Sequence, residues 1–246
     1  MNPTVFPVMT VEPQPVRRTA LAHAVSDVPS CPRWKRLMDI AFVLLASPFW
    51  LPLMIVIACC IKIVSPGCVF FYQERIGLNG RSFRLFKFRS MKVNVETSSH
   101  EKYCENLFQA DRPMTKLDAA GDPRIIPLGK LLRASGLDEL PQIFNVLRGE
   151  MSLVGPRPCT PTEFSRFEPS AQERFNALPG LTGYWQVNGK NKTTFKEMIA
   201  MDIHYAQSLS LGLDLSIMLR TIPTLIGQVR ELRAMKEQAN QLESVR

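Results

Sequence analysis

The stretch Ile40-Ala41-Phe42-Val43-Leu44-Leu45-Ala46-Ser47-Pro48-Phe49-Trp50-Leu51-Pro52-Leu53-Met54-Ile55-Val56-Ile57-Ala58-Cys59-Cys60-Ile61 holds 22 residues and no formal charge. As one straight helix it would extend about 33 Å, enough to cross a hydrocarbon core. Pro48 and Pro52 lie near its middle, and an interior proline costs about 3 kcal/mol through a lost hydrogen bond and a clash. Cations flank both ends, with Arg33, Lys35 and Arg36 before and Lys62 after. Cytoplasmic flanks are the ones enriched in Lys and Arg, which favours both ends on that side. The segment therefore reads as a re-entrant membrane helix broken at Ser47 and Pro48. A kinked spanning helix is the alternative. Arg33, Lys35 and Arg36, with Trp34 among them, are expected at a lipid interface.

Working outward, a chain of 246 residues has room for one ordinary domain plus appendages. Residues 1–32 carry six prolines and no apolar run long enough for a signal-peptide core, so they read as a flexible tail. The membrane segment occupies 33–64, a small domain 65–227 and a charged extension 228–246. The expected fold class is α+β, mainly helical, with a β-hairpin and membrane-surface helices following the re-entrant segment. A net charge of +8 calls for an anionic partner. The apolar segment favours lipid and phosphate over nucleic acid. Six cysteines form no CxxC pair and read as reduced thiols facing the cytosol. Three isolated histidines show no metal-ligand spacing, which argues against zinc.

Downstream, Val69 to Arg75 and Phe83 to Phe88 read as two strands, joined by the turn Gly77-Leu78-Asn79-Gly80. From Arg75 to Lys92 there are six cations, Lys87 and Arg89 among them, and no acid. Phe83, Phe86 and Phe88 either pack in the core or grip a base or lipid; signatures of RNA-binding modules are absent. Residues 93–120 are polar, with a short helix expected around Glu101 to Gln109, and read as a lid or variable insertion. Short helices are expected at Leu128 to Arg133 and at 139–147, and longer ones at Phe195 to Leu209 and Leu213 to Ile226. Leu215, Met218, Leu219 and Ile222 face either the membrane surface or the core. The charged stretch after Val229 reads as a frayed helix. Trp185 belongs either to a polar, aromatic loop or to the core.

The chemistry concentrates in Arg133-Ala134-Ser135-Gly136-Leu137-Asp138-Glu139-Leu140-Pro141-Gln142 and in Gly155-Pro156-Arg157-Pro158. Two adjacent carboxylates suit Mg2+, and one of them can attack phosphorus. Arg133 and Arg157 suit a bidentate grip on phosphate oxygens. Prolines stiffen the second loop, and Gly155 would let its backbone approach a ligand. Asp138 is equally a good N-cap for a helix beginning at Glu139, with Pro141 suited to its first turn. Both readings stand at this point, and a helix N-terminus that binds anions would serve either.

Eight motifs in order then carry a resemblance: Lys35-Arg36-Leu37-Met38-Asp39, the Ser47-Pro48 break, Arg75-Ile76-Gly77-Leu78-Asn79-Gly80, Lys87-Phe88-Arg89-Ser90-Met91, Asp122-Pro123-Arg124, Leu137-Asp138-Glu139-Leu140-Pro141-Gln142, Met151-Ser152-Leu153-Val154-Gly155-Pro156-Arg157-Pro158 and Pro179-Gly180-Leu181-Thr182-Gly183. From about Lys35 to Gly227 the chain resembles the bacterial sugar transferases, the monotopic phosphoglycosyl transferases. The resemblance implies transfer of a sugar 1-phosphate from a UDP-hexose to polyprenyl (undecaprenyl) phosphate, releasing UMP at the start of exopolysaccharide or surface glycan synthesis. It implies Asp138 as nucleophile of a phosphosugar-aspartyl intermediate, Glu139 as its assistant and Mg2+ at the pair. It also implies Lys87, Arg89, Arg133 and Arg157 around the substrate. UDP-galactose or UDP-glucose is favoured, with membrane lipid and a second copy of the chain as candidate partners and no nucleic acid. The expected location is the inner (cytoplasmic) membrane, with the catalytic domain facing the cytoplasm. Gly136 and Ser90 depart from the usual pattern, and Gly136 is expected to loosen the turn presenting Asp138.

Overall fold

The computed structural model describes residues 30–92, 124–189 and 193–244. Helices α1 (Arg33–Leu45) and α2 (Ser47–Val64) lead into the strands β1 (Phe70–Ile76) and β2 (Ser82–Phe88). Helix α3 (Gly129–Ser135), a 3-10 helix (Leu137–Gln142) and α4 (Ile143–Arg148) follow, then β3 (Ser152–Val154) and the one-turn α5 (Pro161–Phe164). A second 3-10 helix (Pro169–Asn176), β4 (Gly180–Thr182), α6 (Tyr184–Val187), α7 (Phe195–Gln207) and α8 (Leu211–Ser244) complete the chain. The architecture is α+β and mainly helical. The expected lid and its short helix lie outside the described residues, as does nearly all of the N-terminal tail.

The apolar segment is broken where the sequence placed the break, with α1 ending at Leu45 and α2 starting at Ser47. Pro48 falls in the first turn of α2, where its missing N–H is not needed. The break would orphan the Val43 carbonyl, and the Trp50 indole N–H donates to it at 2.8 Å. Both helices rest on the same body. Val43 packs with Leu85, Ile143, Val146 and Met151. Met54, Ile57 and Ile61 pack with Phe88, Ile126 and Leu132. The other side of the pair is an exposed apolar face that includes Leu37, Leu45, Phe49, Ile55 and Ile63. By length and composition, Ser47–Val64 qualifies as able to cross a membrane, with only 17% of that window buried.

Of the three cations before this segment Arg33 is exposed, while Lys35 and Arg36 turn into the protein. Lys35 is 1% exposed and pairs with Asp214 of α8 at 2.5 Å. It also donates to Val154 O at 2.9 Å and to the Tyr205 hydroxyl at 3.0 Å. Arg36 donates to the Val146 and Leu147 carbonyls at the end of α4. Asp39 Oδ1 accepts from Ser152 Oγ and Leu153 N, each at 3.0 Å. Buried charges persist when paired and hydrogen-bonded. The Lys-Arg…Asp motif thus fastens α1 to α4, β3 and α8 through partners more than a hundred residues away.

Strands β1 and β2 pair antiparallel from Phe70↔Phe88 to Ile76↔Ser82. Asn79 (φ 56°) and Gly80 (φ 70°) close the hairpin in the left-handed region. Phe88 is buried and stacks on Phe70, while Phe86 meets Tyr72 edge-on and carries Arg148 over its ring at 4.6 Å. Phe83 packs beside Leu85, so all three phenylalanines have partners within the protein. Buried Asn145 of α4 acts as a substitute strand at the outer edge of β2. Its amide donates to Arg84 O at 2.7 Å and its carbonyl accepts from Phe86 N at 3.0 Å.

Farther along, β3 and β4 pair in parallel, Ser152↔Gly180 and Val154↔Thr182. A Cβ on Gly155 would stand 2.1 Å from Leu178 O, and one on Gly180 would stand 2.0 Å from Gly155 N. Gly155 therefore brings its backbone close against residues 178–180. Trp185 is a core residue, its indole N–H donating to Thr193 Oγ1 at 2.7 Å. Helix α8 divides its faces: Asp214 and Ile217 are buried and Met218 packs inward, while Leu215, Leu219 and Ile222 are exposed. Its helical backbone runs on to Ser244, past the fraying expected after Val229.

Candidate active site

Helix α3 ends at Gly136, whose φ of 73° lies in the left-handed region where glycine is at least cost. The chain then enters the 3-10 turn that presents Asp138 and Glu139. Here Gly136 suits the turn and does not loosen it. It also holds the N-cap position, no side chain caps the turn, and Glu139 N donates to Gly136 O at 3.1 Å. Asp138 lies inside the turn, so the capping role considered for it is not the one it has. The single helix expected over 139–147 is instead a 3-10 turn followed by α4. Pro141 has no N–H to extend an α-helical ladder backward, and it fits the tighter turn.

Strand β2 supplies the nearest cation. Side chains alternate along a strand, so Phe83, Leu85 and Lys87 share the face that packs on this turn. Lys87 Nζ meets Glu139 Oε1 at 2.8 Å. The two side chains are 21% and 44% exposed, which makes the pair weak as a stabiliser and leaves it accessible to a ligand. Asp138 is buried beside it, at 8% exposure. Two adjacent carboxylates, one buried and one open, fit Mg2+, which uses one or two carboxylates with water and substrate phosphate completing its shell. Among the described residues there is no cluster of three or more acidic, His or Cys groups that would suit another metal.

Arg133 stands on the last turn of α3, three residues before Gly136. Arg157 leaves the β3 loop and donates to Glu163 Oε1 at 3.2 Å, its side chain 31% exposed. Arg89 is drawn elsewhere: it is buried and donates to Ser65 O at 2.8 Å and Pro66 O at 2.7 Å, beyond the end of α2. The structure thus brings Lys87 onto the Asp138–Glu139 turn, places Arg133 on the helix that leads into it, and spends the Arg89 amino groups on the loop after α2.

Three further groups serve the Arg157 loop and are not evident from sequence. Glu163, 4% exposed, accepts from Arg157 and from Thr160 N (2.6 Å), and lies 3.8 Å from Arg75. Burial alone would raise its carboxyl, but Arg157, Arg75 and the Thr160 N–H outweigh burial and hold it at about 2. Arg174 donates to Arg157 O at 2.8 Å and pairs with Asp202 in the interior. Arg75 donates to Pro158 O at 3.1 Å. Burial and Arg157 lower the Arg75 guanidinium to about 10, while Glu163 and, least, Glu139 oppose them. Thr160-Pro161-Thr162-Glu163 carries the capping-box signature that would have marked Glu163; Arg174 and Asp202 carry no local signal.

The family model for bacterial sugar transferases matches residues 31–228. The exopolysaccharide production protein ExoY of Sinorhizobium fredii is 38% identical over 189 residues, covering 77% of this chain and 84% of that protein. The UDP-glucose:undecaprenyl-phosphate glucose-1-phosphate transferase of Caulobacter vibrioides is 40% identical over 200 residues, covering 78% and 69%. A UDP-N-acetylgalactosamine-undecaprenyl-phosphate N-acetylgalactosaminephosphotransferase of Aeromonas hydrophila is 39% identical over 198 residues, covering 78% and 43%. The match begins just ahead of the Lys35 anchor and ends within α8, enclosing the dyad turn and the Arg157 loop, and on that extent the chain belongs to the bacterial sugar transferase family.

Proposed function

We propose that this enzyme moves a hexose 1-phosphate from a UDP-hexose to polyprenyl phosphate at the cytoplasmic face of the inner membrane, by way of a phosphosugar bound to Asp138. The observation that carries the reading is the Asp138–Glu139 turn, with Lys87 on Glu139, mounted on the same body as an exposed apolar helix pair. Relatives named for UDP-glucose, UDP-galactose and undecaprenyl phosphate support that donor and acceptor class.

In the first half-reaction a carboxylate oxygen of Asp138 attacks the β-phosphorus that bears the sugar. The bond to the bridging oxygen breaks and UMP leaves with the electron pair. In the second, an oxygen of polyprenyl phosphate attacks the same phosphorus, and the Asp138 carboxylate leaves. Division into two steps lets two anionic substrates react at one site in turn. Mg2+ held by Asp138 and Glu139 would offset charge on the diphosphate. Lys87 fixes Glu139 and adds positive charge, and Arg133 and Arg157 grip phosphate oxygens as transferred charge builds.

Packing supports a re-entrant topology. Both ends of the broken helix pair are tied to one body, by Lys35 and Arg36 at the start and by Ile61 at the finish. A re-entrant segment satisfies both ties, while its exposed face lies in lipid and the site stays at headgroup depth. Incubation with a panel of UDP-sugars and polyprenyl phosphate in nanodiscs, read by UMP release, tests the function. UMP release with UDP-glucose or UDP-galactose that requires Mg2+ is expected; no turnover with any UDP-sugar would contradict it.

A further inference from the structure

The charges around the Gly155-Pro156-Arg157-Pro158 loop number more than a structural loop needs. Three arginines (Arg75, Arg157, Arg174) meet two carboxylates (Glu163, Asp202), and of these side chains Arg157 alone is substantially open to solvent. The loop backbone is fixed from two directions, by Arg174 on Arg157 O and by Arg75 on Pro158 O. The guanidinium is fixed from a third, by Glu163. The other oxygen of Glu163 accepts from Thr160 N, and Thr160 Oγ1 accepts from Glu163 N, so the carboxylate is clamped at both its ends. An arginine held by a clamped, buried carboxylate has its guanidinium direction fixed and loses little rotamer freedom when it meets an anion.

We propose that Glu163 is a positioning residue for donor binding: it touches no substrate and sets the direction in which Arg157 presents its guanidinium to the UDP-hexose diphosphate. The inference rests on the reading of Arg157 as a donor-phosphate arm. It accounts for a carboxylate buried near a site that must bind anions, where an unpaired acid would repel the substrate. Arg157 and Arg75 both face Glu163, so the local charge remains positive.

The test is a mutant cycle in the full-length enzyme in nanodiscs, with kcat/KM for UDP-hexose and thermal unfolding measured on every variant. Arg157→Ala should lower kcat/KM by about a hundredfold, the scale of one lost charge-assisted clamp. Glu163→Gln should lower it about tenfold, mostly through KM. The double variant should match Arg157→Ala within about twofold, because Glu163 acts only through that arm. Thr160→Ala, which weakens the cap and spares the Glu163–Arg157 pair, should lose stability with kcat/KM within about twofold of wild type. If Glu163→Gln does not fold, Glu163→Asp is read in its place, with the same non-additivity expected. Additive losses in the double variant, or activity that merely follows stability across the series, would show that Glu163 is only a structural cap. Full activity in Arg157→Ala would instead remove the donor-arm reading, and the positioning role with it.

Discussion

At the scale of single residues, the site works by giving similar groups different surroundings. Asp138 is buried inside a 3-10 turn, Glu139 is open and tied to Lys87, and Glu163 is buried among arginines. The dyad was legible because two acids beside a Gly and ahead of a Pro form an uncommon local string. The capping box marks Glu163 as a local cap, but its ion-pair role was hidden because Arg75 comes from β1 and Arg157 from the loop after β3. Its carboxyl is depressed to about 2 from 4.5, so the folded state favours its ionised form. The stability this contributes is fully present above the unfolded value and is lost as pH falls through the folded one. Wild type should therefore exceed Glu163→Gln by about 3 kcal/mol at pH 7, and the gap should close between about pH 4.5 and 2. Denaturant unfolding at several pH values checks this. A gap that persists unchanged at pH 2 would mean that the carboxylate charge is not what stabilises the loop.

Among the elements, those specified by local pattern were the readable ones. Alternation and the Gly77-Leu78-Asn79-Gly80 turn located the hairpin within a residue at either end. Ser47 and Pro48 located the break in the apolar segment. What local pattern does not carry is the closing of each element by a distant one. Asn145 completes the edge of β2, and Trp50 reaches back to the carbonyl the break sets free. Lys35 finds Asp214 across 179 residues. Periodicity also left α8 undecided, since Asp214, Ile217 and Met218 on one side and Leu215, Leu219 and Ile222 on the other are both consistent with its spacing. The broken pair makes a topological prediction. Versions that retain only Cys31 or only Cys68, one on each side of the segment, should both react with a membrane-impermeant thiol reagent from the cytoplasmic side. Reaction of the two from opposite sides would show a span.

For the whole molecule, the apolar surface and the site belong to one design. The exposed faces of α1, α2 and α8 would be costly in water and are at ease in lipid. On the proposed reading, their attachment to the body that carries Asp138 would set how far the site stands from the bilayer, where the acceptor phosphate is expected. The central claim is that Asp138 bonds to the phosphosugar before any lipid acceptor arrives. An Asn at this position keeps the size and loses the nucleophile, and Glu139→Gln should be nearly as damaging. The most direct measurement is incubation of the enzyme with UDP-hexose carrying label on the sugar, in the presence of Mg2+ and without polyprenyl phosphate. A burst of UMP equal to the enzyme present, with label retained on the wild-type protein and absent from Asp138→Asn, is the predicted result. Normal turnover by Asp138→Asn once polyprenyl phosphate is added would contradict it.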